Sequence, residues 1–132
     1  MIGLDTNVLV RYLAQDDERQ SPVATRFVEK TLTADDRGFI SLIVLAEVVW
    51  VLVSLYSLDR TGVCKVITTL LTTEQLHVES AELVWRAKRQ YEESKADLSD
   101  ALVAECSAQA GCEHSVTFDR AAAGLTGFEL LK

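Results

Sequence analysis

Proline occurs once and glycine only six times in this chain, and no repeat, linker or low-complexity segment is visible. Cysteine is also scarce. Cys64, Cys106 and Cys112 are too few and too scattered for a disulfide framework, none forms a C-x-x-C pair, and small buried core residues are the expectation. Cys112 and His114 lie close together, but no second arm completes four zinc ligands, so both are read as structural, as is His77 in its short apolar run. Basic residues fall short as well. Lys and Arg number 13 against 20 Asp and Glu, giving a net charge of −7, which argues against a broad basic face for nucleic acid and leaves only local clusters of cations.

A membrane span is excluded by length and charge. The longest apolar run, Leu42 to Leu58, is shorter than the roughly 20 residues a bilayer requires and carries Glu47 near its middle, so it reads as a core helix buried nearly all round. The N-terminus passes straight from Met1 into Ile-Gly-Leu-Asp, without the basic, apolar and small-residue series of a secretory signal, and a cytoplasmic location is expected. With 132 residues, 48% of them hydrophobic, one compact domain over 1–132 is the default.

What is present alternates between two periodicities. Residues 1–4 read as a strand ending at Asp5, and residues 7–14 follow as a helix, with Val8, Leu9, Tyr12 and Leu13 at helical spacing. Ser21-Pro22 reads as an N-cap and first helical position, opening a helix to about Thr33 that Asp35-Asp36-Arg37-Gly38 breaks. Phe39-Ile40 form a second strand, and helices are expected over Leu42 to Leu58 and Asp59 to Thr72. Then come a strand at Gln75 to Val78, a helix from Ala81 to Glu93, a helix from Asp97 to Gly111, and strands at His114 to Phe118 and Phe128 to Leu131. Strands alternating with helices predict an α/β fold with a mainly parallel sheet covered on both faces.

Five acids stand out against this frame. Glu47 lies in Ile-Val-Leu-Ala-Glu-Val-Val-Trp-Val-Leu-Val with no basic residue on its own helix within reach, and a buried glutamate is rare unless paired or bound to metal. The alternatives are an ion pair with a distant Lys or Arg, or a place on a thin exposed stripe. Asp5 and Asp119 each end a strand, where open parallel sheets place their ligands, although each also precedes a helix or turn it could cap. Asp97 and Asp100 lie three apart at a helix start, where capping and the helix dipole favour acids without any metal. Two bare carboxylates about 4 Å apart repel by roughly 4 kcal/mol at an effective dielectric of 20, so four converging ones need a cation. An all-oxygen set suits magnesium or manganese rather than zinc or copper.

These stretches together resemble the PIN-domain family, and especially the VapC-type ribonuclease toxins of type II toxin-antitoxin pairs. The resemblance rests on Leu4-Asp5-Thr6-Asn7, on Ser41 with Val44-Leu45-Ala46-Glu47-Val48-Val49-Trp50, on Asp97-Leu98-Ser99-Asp100-Ala101-Leu102, and on Thr117-Phe118-Asp119-Arg120, in family order. It implies a PIN-like α/β/α sandwich with a mainly parallel central sheet, and hydrolysis of RNA phosphodiesters assisted by Mg2+ or Mn2+. Asp5, Glu47, Asp100 and Asp119 match the acidic quartet that holds one or two cations, while Asp97 is open between joining them and capping its helix. Thr117, Thr6, Asn7 and Ser41 match residues that orient the carboxylates. The resemblance also implies an RNA substrate, a cognate antitoxin whose tail covers the site, and a homodimer.

Other readings account for fewer of these residues. A phosphotransferase of the haloacid-dehalogenase type wants a second aspartate two residues after the first, where this chain has Asn7, and leaves Glu47 without a role. A response-regulator receiver wants an acidic pair near the first strand and a lysine after a late one. A non-catalytic PIN scaffold would be expected to have lost a member of the quartet. A housekeeping PIN nuclease in RNA processing is the nearest alternative, and the fold does not separate it from a toxin.

Overall fold

A computed structural model describes all 132 residues, Met1 to Lys132, and the chain forms two compact units, Met1–Glu79 and Ser80–Lys132. In the first unit β1 (Ile2–Gly3) leads into α1 (Thr6–Ala14) and α2 (Gln20–Arg26), then β2 (Gly38–Ile40), α3 (Leu42–Tyr56), α4 (Arg60–Thr72) and β3 (Leu76–Val78). The strands form one sheet in the order β1-β2-β3, all parallel, with Ile2 opposite Gly38 and Phe39 opposite His77. Parallel neighbours need long crossovers, which the intervening helices provide. Leu9, Val28, Ile40, Leu45, Val48, Val63 and Ile67 are fully enclosed and form the core.

The second unit contains α5 (Ala81–Glu92), α6 (Leu98–Gln109), β4 (Ser115–Thr117), a single 3-10 turn at Ala122–Gly124, and β5 (Phe128–Leu130). Helices α5 and α6 pack against one another, burying Leu83, Val84, Ala87, Leu98, Ala101 and Leu102. Strands β4 and β5 pair in parallel, with Val116 opposite Glu129. No helix is long and apolar enough to cross a membrane.

Three local expectations need correction. Helix α2 starts at Gln20 rather than at Pro22 behind a Ser21 cap, because the Asp17 carboxylate accepts from the N–H groups of Arg19 (3.0 Å) and Gln20 (2.7 Å) and opens the helix earlier. Ser21 is drawn inward instead, donating to the Arg11 carbonyl at 2.8 Å, while Pro22 stays in the first turn, where its missing N–H costs nothing. The helix then widens into a π-helical turn over Phe27–Thr31. Cys106 and Cys112 are exposed, and only Cys64 is buried. Finally, α3 is not enclosed all round: Leu45, Val48, Val49 and Leu52 face the core, while Ile43, Glu47, Trp50 and Leu55 are exposed.

Candidate active site

Asp5 stands at the exit of β1, at the N-cap position of α1, with extended backbone (φ −83°, ψ 158°). A carboxylate there ordinarily accepts an N–H of the first turn. The Asp5 side chain makes no such bond. Its main-chain carbonyl accepts from Val8 and Leu9, so the helix is begun by backbone alone and the exposed carboxylate is left uncommitted. Thr6 follows as a buried first residue of the helix. Asn7 is exposed and borders a cavity of about 730 Å³ in the first unit, lined by Ile2, Leu4, Val8, Val23 and Phe27, with Arg11 among its polar members.

Glu47 lies in the second turn of α3. Ser41 caps that helix, its hydroxyl accepting from the Val44 N–H at 3.1 Å. The exposed place of Glu47 favours the stripe over the buried glutamate expected from its neighbours, and it forms no ion pair with Lys, Arg or His. Glu79, an acid that the sequence reading passed over, also serves this helix: its carboxylate accepts from the Leu42 N–H at 2.8 Å. The strand-end rule that picked out Asp5 and Asp119 would have found it, since it directly follows β3.

In the second unit the acids sense one another. Asp97 holds the N-cap position of α6 without a side-chain capping bond, and Asp100 sits in the first turn. Burial, then repulsion from Asp97 and Asp119, push the Asp100 carboxyl above the ordinary carboxylate range, partly offset by the Asp97 backbone N–H donating to it. Asp119 is held at the exit of β4: one oxygen, Oδ1, accepts from Ala121 at 2.8 Å and Ala122 at 3.4 Å, and the Asp119 N–H donates to Thr117 Oγ1 at 3.0 Å. The capping role weighed for Asp119 is therefore real, and its second oxygen remains outside it. None of Asp97, Asp100 and Asp119 forms an ion pair.

In neither unit do three or more His, Cys, Asp or Glu side chains stand close enough to enclose a metal ion. The donor chemistry nevertheless fits a hard divalent cation. Carboxylates at Asp5 and Asp97 are free of capping bonds, and Asp100 is held against like charge that a cation would relieve. The two histidines take up structural duties. His77 stacks on Phe39 with ring centroids 6.0 Å apart and lies 3.1 Å from an Arg37 nitrogen, and His114 meets Glu129 at 3.4 Å.

Parallel strands joined through helices, with acids set at strand exits and helix starts, define an α/β protein of the type that carries ligands at the carboxyl ends of its strands. The chain belongs to the PIN domain family, whose model matches residues 2–126. It is also similar to a VapC ribonuclease of Aquifex aeolicus (strain VF5), with 26% identity over 117 residues covering 89% of this chain and 86% of that protein. The mixed helices and parallel strands are those of the family's α/β/α fold.

Proposed function

We propose that the chain is a metal-dependent endoribonuclease, the toxin of a toxin-antitoxin pair, working as one PIN domain over 1–132. The observation that carries this reading is the match of residues 2–126 to the PIN family, and beside it the Asp100 carboxyl is pushed up by burial and by repulsion from Asp97 and Asp119. Asp5, Glu47, Asp100 and Asp119 are the proposed ligands of Mg2+ or Mn2+, with Asp97 at the margin of the set. The likeness to a VapC ribonuclease supports RNA as the substrate, and an antitoxin protein is the partner that the resemblance to VapC-type toxins implies.

A divalent cation held by these acids supplies activation of water and neutralisation of charge at the scissile phosphate. The residues do the positioning. Thr117 fixes the backbone at Asp119, whose Oδ1 is tied down by two N–H groups so that Oδ2 is presented in a set direction. Ser41 and Glu79 secure the start of α3 and with it the turn that carries Glu47. The apolar cavity beside β1 is large enough to receive side chains of a partner tail, and its lining carries Arg19 and an Arg11 that pairs with Asp17 at 3.9 Å.

Purified protein incubated with total cellular RNA is expected to produce discrete new RNA ends with Mg2+ or Mn2+ and none in excess EDTA. Glu47→Gln is expected to stop cleavage while leaving the melting temperature nearly unchanged, because its side chain is exposed and unpaired. Full cleavage in EDTA, with metal content checked, would sink the proposal. Co-expression with a small neighbouring reading frame that restores growth would separate a toxin from a housekeeping nuclease.

A further inference from the structure

Phe118 is the most exposed of the chain's large apolar side chains, at 79%. Exposed apolar residues scattered over a surface are ordinary and need no function. This one differs in where it stands and in how firmly it is held. It directly precedes Asp119 at the exit of β4, and Val116, two residues earlier, is exposed as well, at the spacing of one strand face. The backbone is tied down on both sides of the ring. The Thr117 carbonyl accepts from the Leu131 N–H at 2.7 Å, Thr117 Oγ1 accepts from the Asp119 N–H at 3.0 Å, and Asp119 Oδ1 accepts from the Ala121 N–H at 2.8 Å. Arg120 follows, exposed and without an ion pair, whereas Arg86, Lys88 and His114 of the same unit each meet a carboxylate. An aromatic face, a carboxylate and a free guanidinium therefore occupy three consecutive positions on a backbone held in place.

We propose that Phe118 stacks on a base of single-stranded RNA and that Arg120 contacts a phosphate of the same strand, so that the two seat the RNA at Asp119. This rests on the reading of the chain as a ribonuclease with Asp119 as a cation ligand. Every base has a π face, so stacking on an aromatic side chain holds a single strand without reading its sequence. The guanidinium supplies a positive charge that the neighbouring acids lack. A chain of net charge −7 then needs no broad basic face, because the ring contributes affinity that does not depend on charge.

The test is the fluorescence anisotropy of a labelled single-stranded RNA containing all four bases, titrated with the full chain over a range of salt concentrations, in EDTA and in Ca2+. Phe118→Ala and Phe118→Leu are expected to melt like the wild type and to bind about tenfold more weakly, the range for loss of one base–aromatic stack, with the salt dependence unchanged. Phe118→Tyr keeps the ring and is expected to keep wild-type affinity. Arg120→Ala is expected to lower the slope of log affinity against log salt by about 0.7, the share of one phosphate contact on a single strand. Calorimetric binding of Mn2+ is expected to be the same in Phe118→Ala as in the wild type. Wild-type RNA affinity in Phe118→Ala or Phe118→Leu overturns the stack, as does a clear fall in melting temperature, which would mean that the ring is packed in solution. A dimer that Phe118→Ala turns into a monomer in sedimentation overturns it too, because the ring would then be a contact between copies. A wild type that neither binds nor cuts RNA overturns the ribonuclease reading, and this proposal with it, whereas RNA bound and cut equally well by Phe118→Ala overturns this proposal alone.

Discussion

Three aspartates in this chain occupy helix N-cap positions with nearly the same backbone, yet they spend their carboxylates differently. Asp59 accepts from the Gly62 N–H at 2.7 Å, whereas Asp5 and Asp97 make no capping bond. The sequence favours capping equally at all three, so position in the helix does not distinguish a structural aspartate from an available one. Asp100 shows the electrostatic side of the same contrast. Its folded carboxyl lies above the ordinary 3.8 because of burial and of Asp97 and Asp119, so the folded chain binds this proton more tightly than the unfolded one. Stability therefore falls as pH rises from 3.8 through the folded value, and above that value the penalty stays in full. Asp100→Asn is expected to melt higher than the wild type at neutral pH in EDTA, and the difference should vanish below about pH 4. Melts across that range check it, and equal melting temperatures at neutral pH would show that the crowding costs nothing.

At the scale of elements, the helices were legible wherever the sequence mixes apolar with polar residues. The α5 segment shows Leu83, Val84, Ala87 and Tyr91 inward as its spacing predicts, and Asp59 to Thr72 is α4 with its cap. Helix α3 resisted for a physical reason. Nearly every position from Leu42 to Leu55 is apolar, so no stripe in the pattern says which side faces the core, and the helix looked buried throughout. The start of α2 was lost for another reason: Asp17 captures two N–H groups by a turn that spacing alone does not reveal. The two faces of α3 are expected to answer mutation unequally. Leu45→Ala, at a fully enclosed position, should cost about 2–5 kcal/mol. Trp50→Ala, with the side chain 65% exposed, should stay within about 0.5 kcal/mol in chemical denaturation. A large loss at Trp50 would mean that its indole is covered in solution.

For the whole molecule, composition alone argued weakly against a nuclease, because a chain of net charge −7 has little to offer a polyanion. The four motifs in order outweighed that argument, and the PIN match over 2–126 agrees with them. The proposed cation has a thermodynamic consequence. A metal that binds the folded chain and not the unfolded one stabilises it by RT ln(1 + [L]/Kd), about 2.7 kcal/mol at a hundredfold excess over Kd. For a chain of this length, that corresponds to a rise in melting temperature of roughly 10 °C. Mn2+ at that excess is expected to produce such a shift in the wild type, and Asp5→Asn, Glu47→Gln, Asp100→Asn and Asp119→Asn are each expected to remove most of it. The exposed acids of the loops provide the control, since Asp35→Asn should leave the shift intact if the effect comes from a defined site rather than from general screening of negative charge. A shift that survives every substitution in the quartet, or one that Asp35→Asn reduces as much as Asp100→Asn does, would mean that the cation binds this acidic chain without the four carboxylates acting as its ligands.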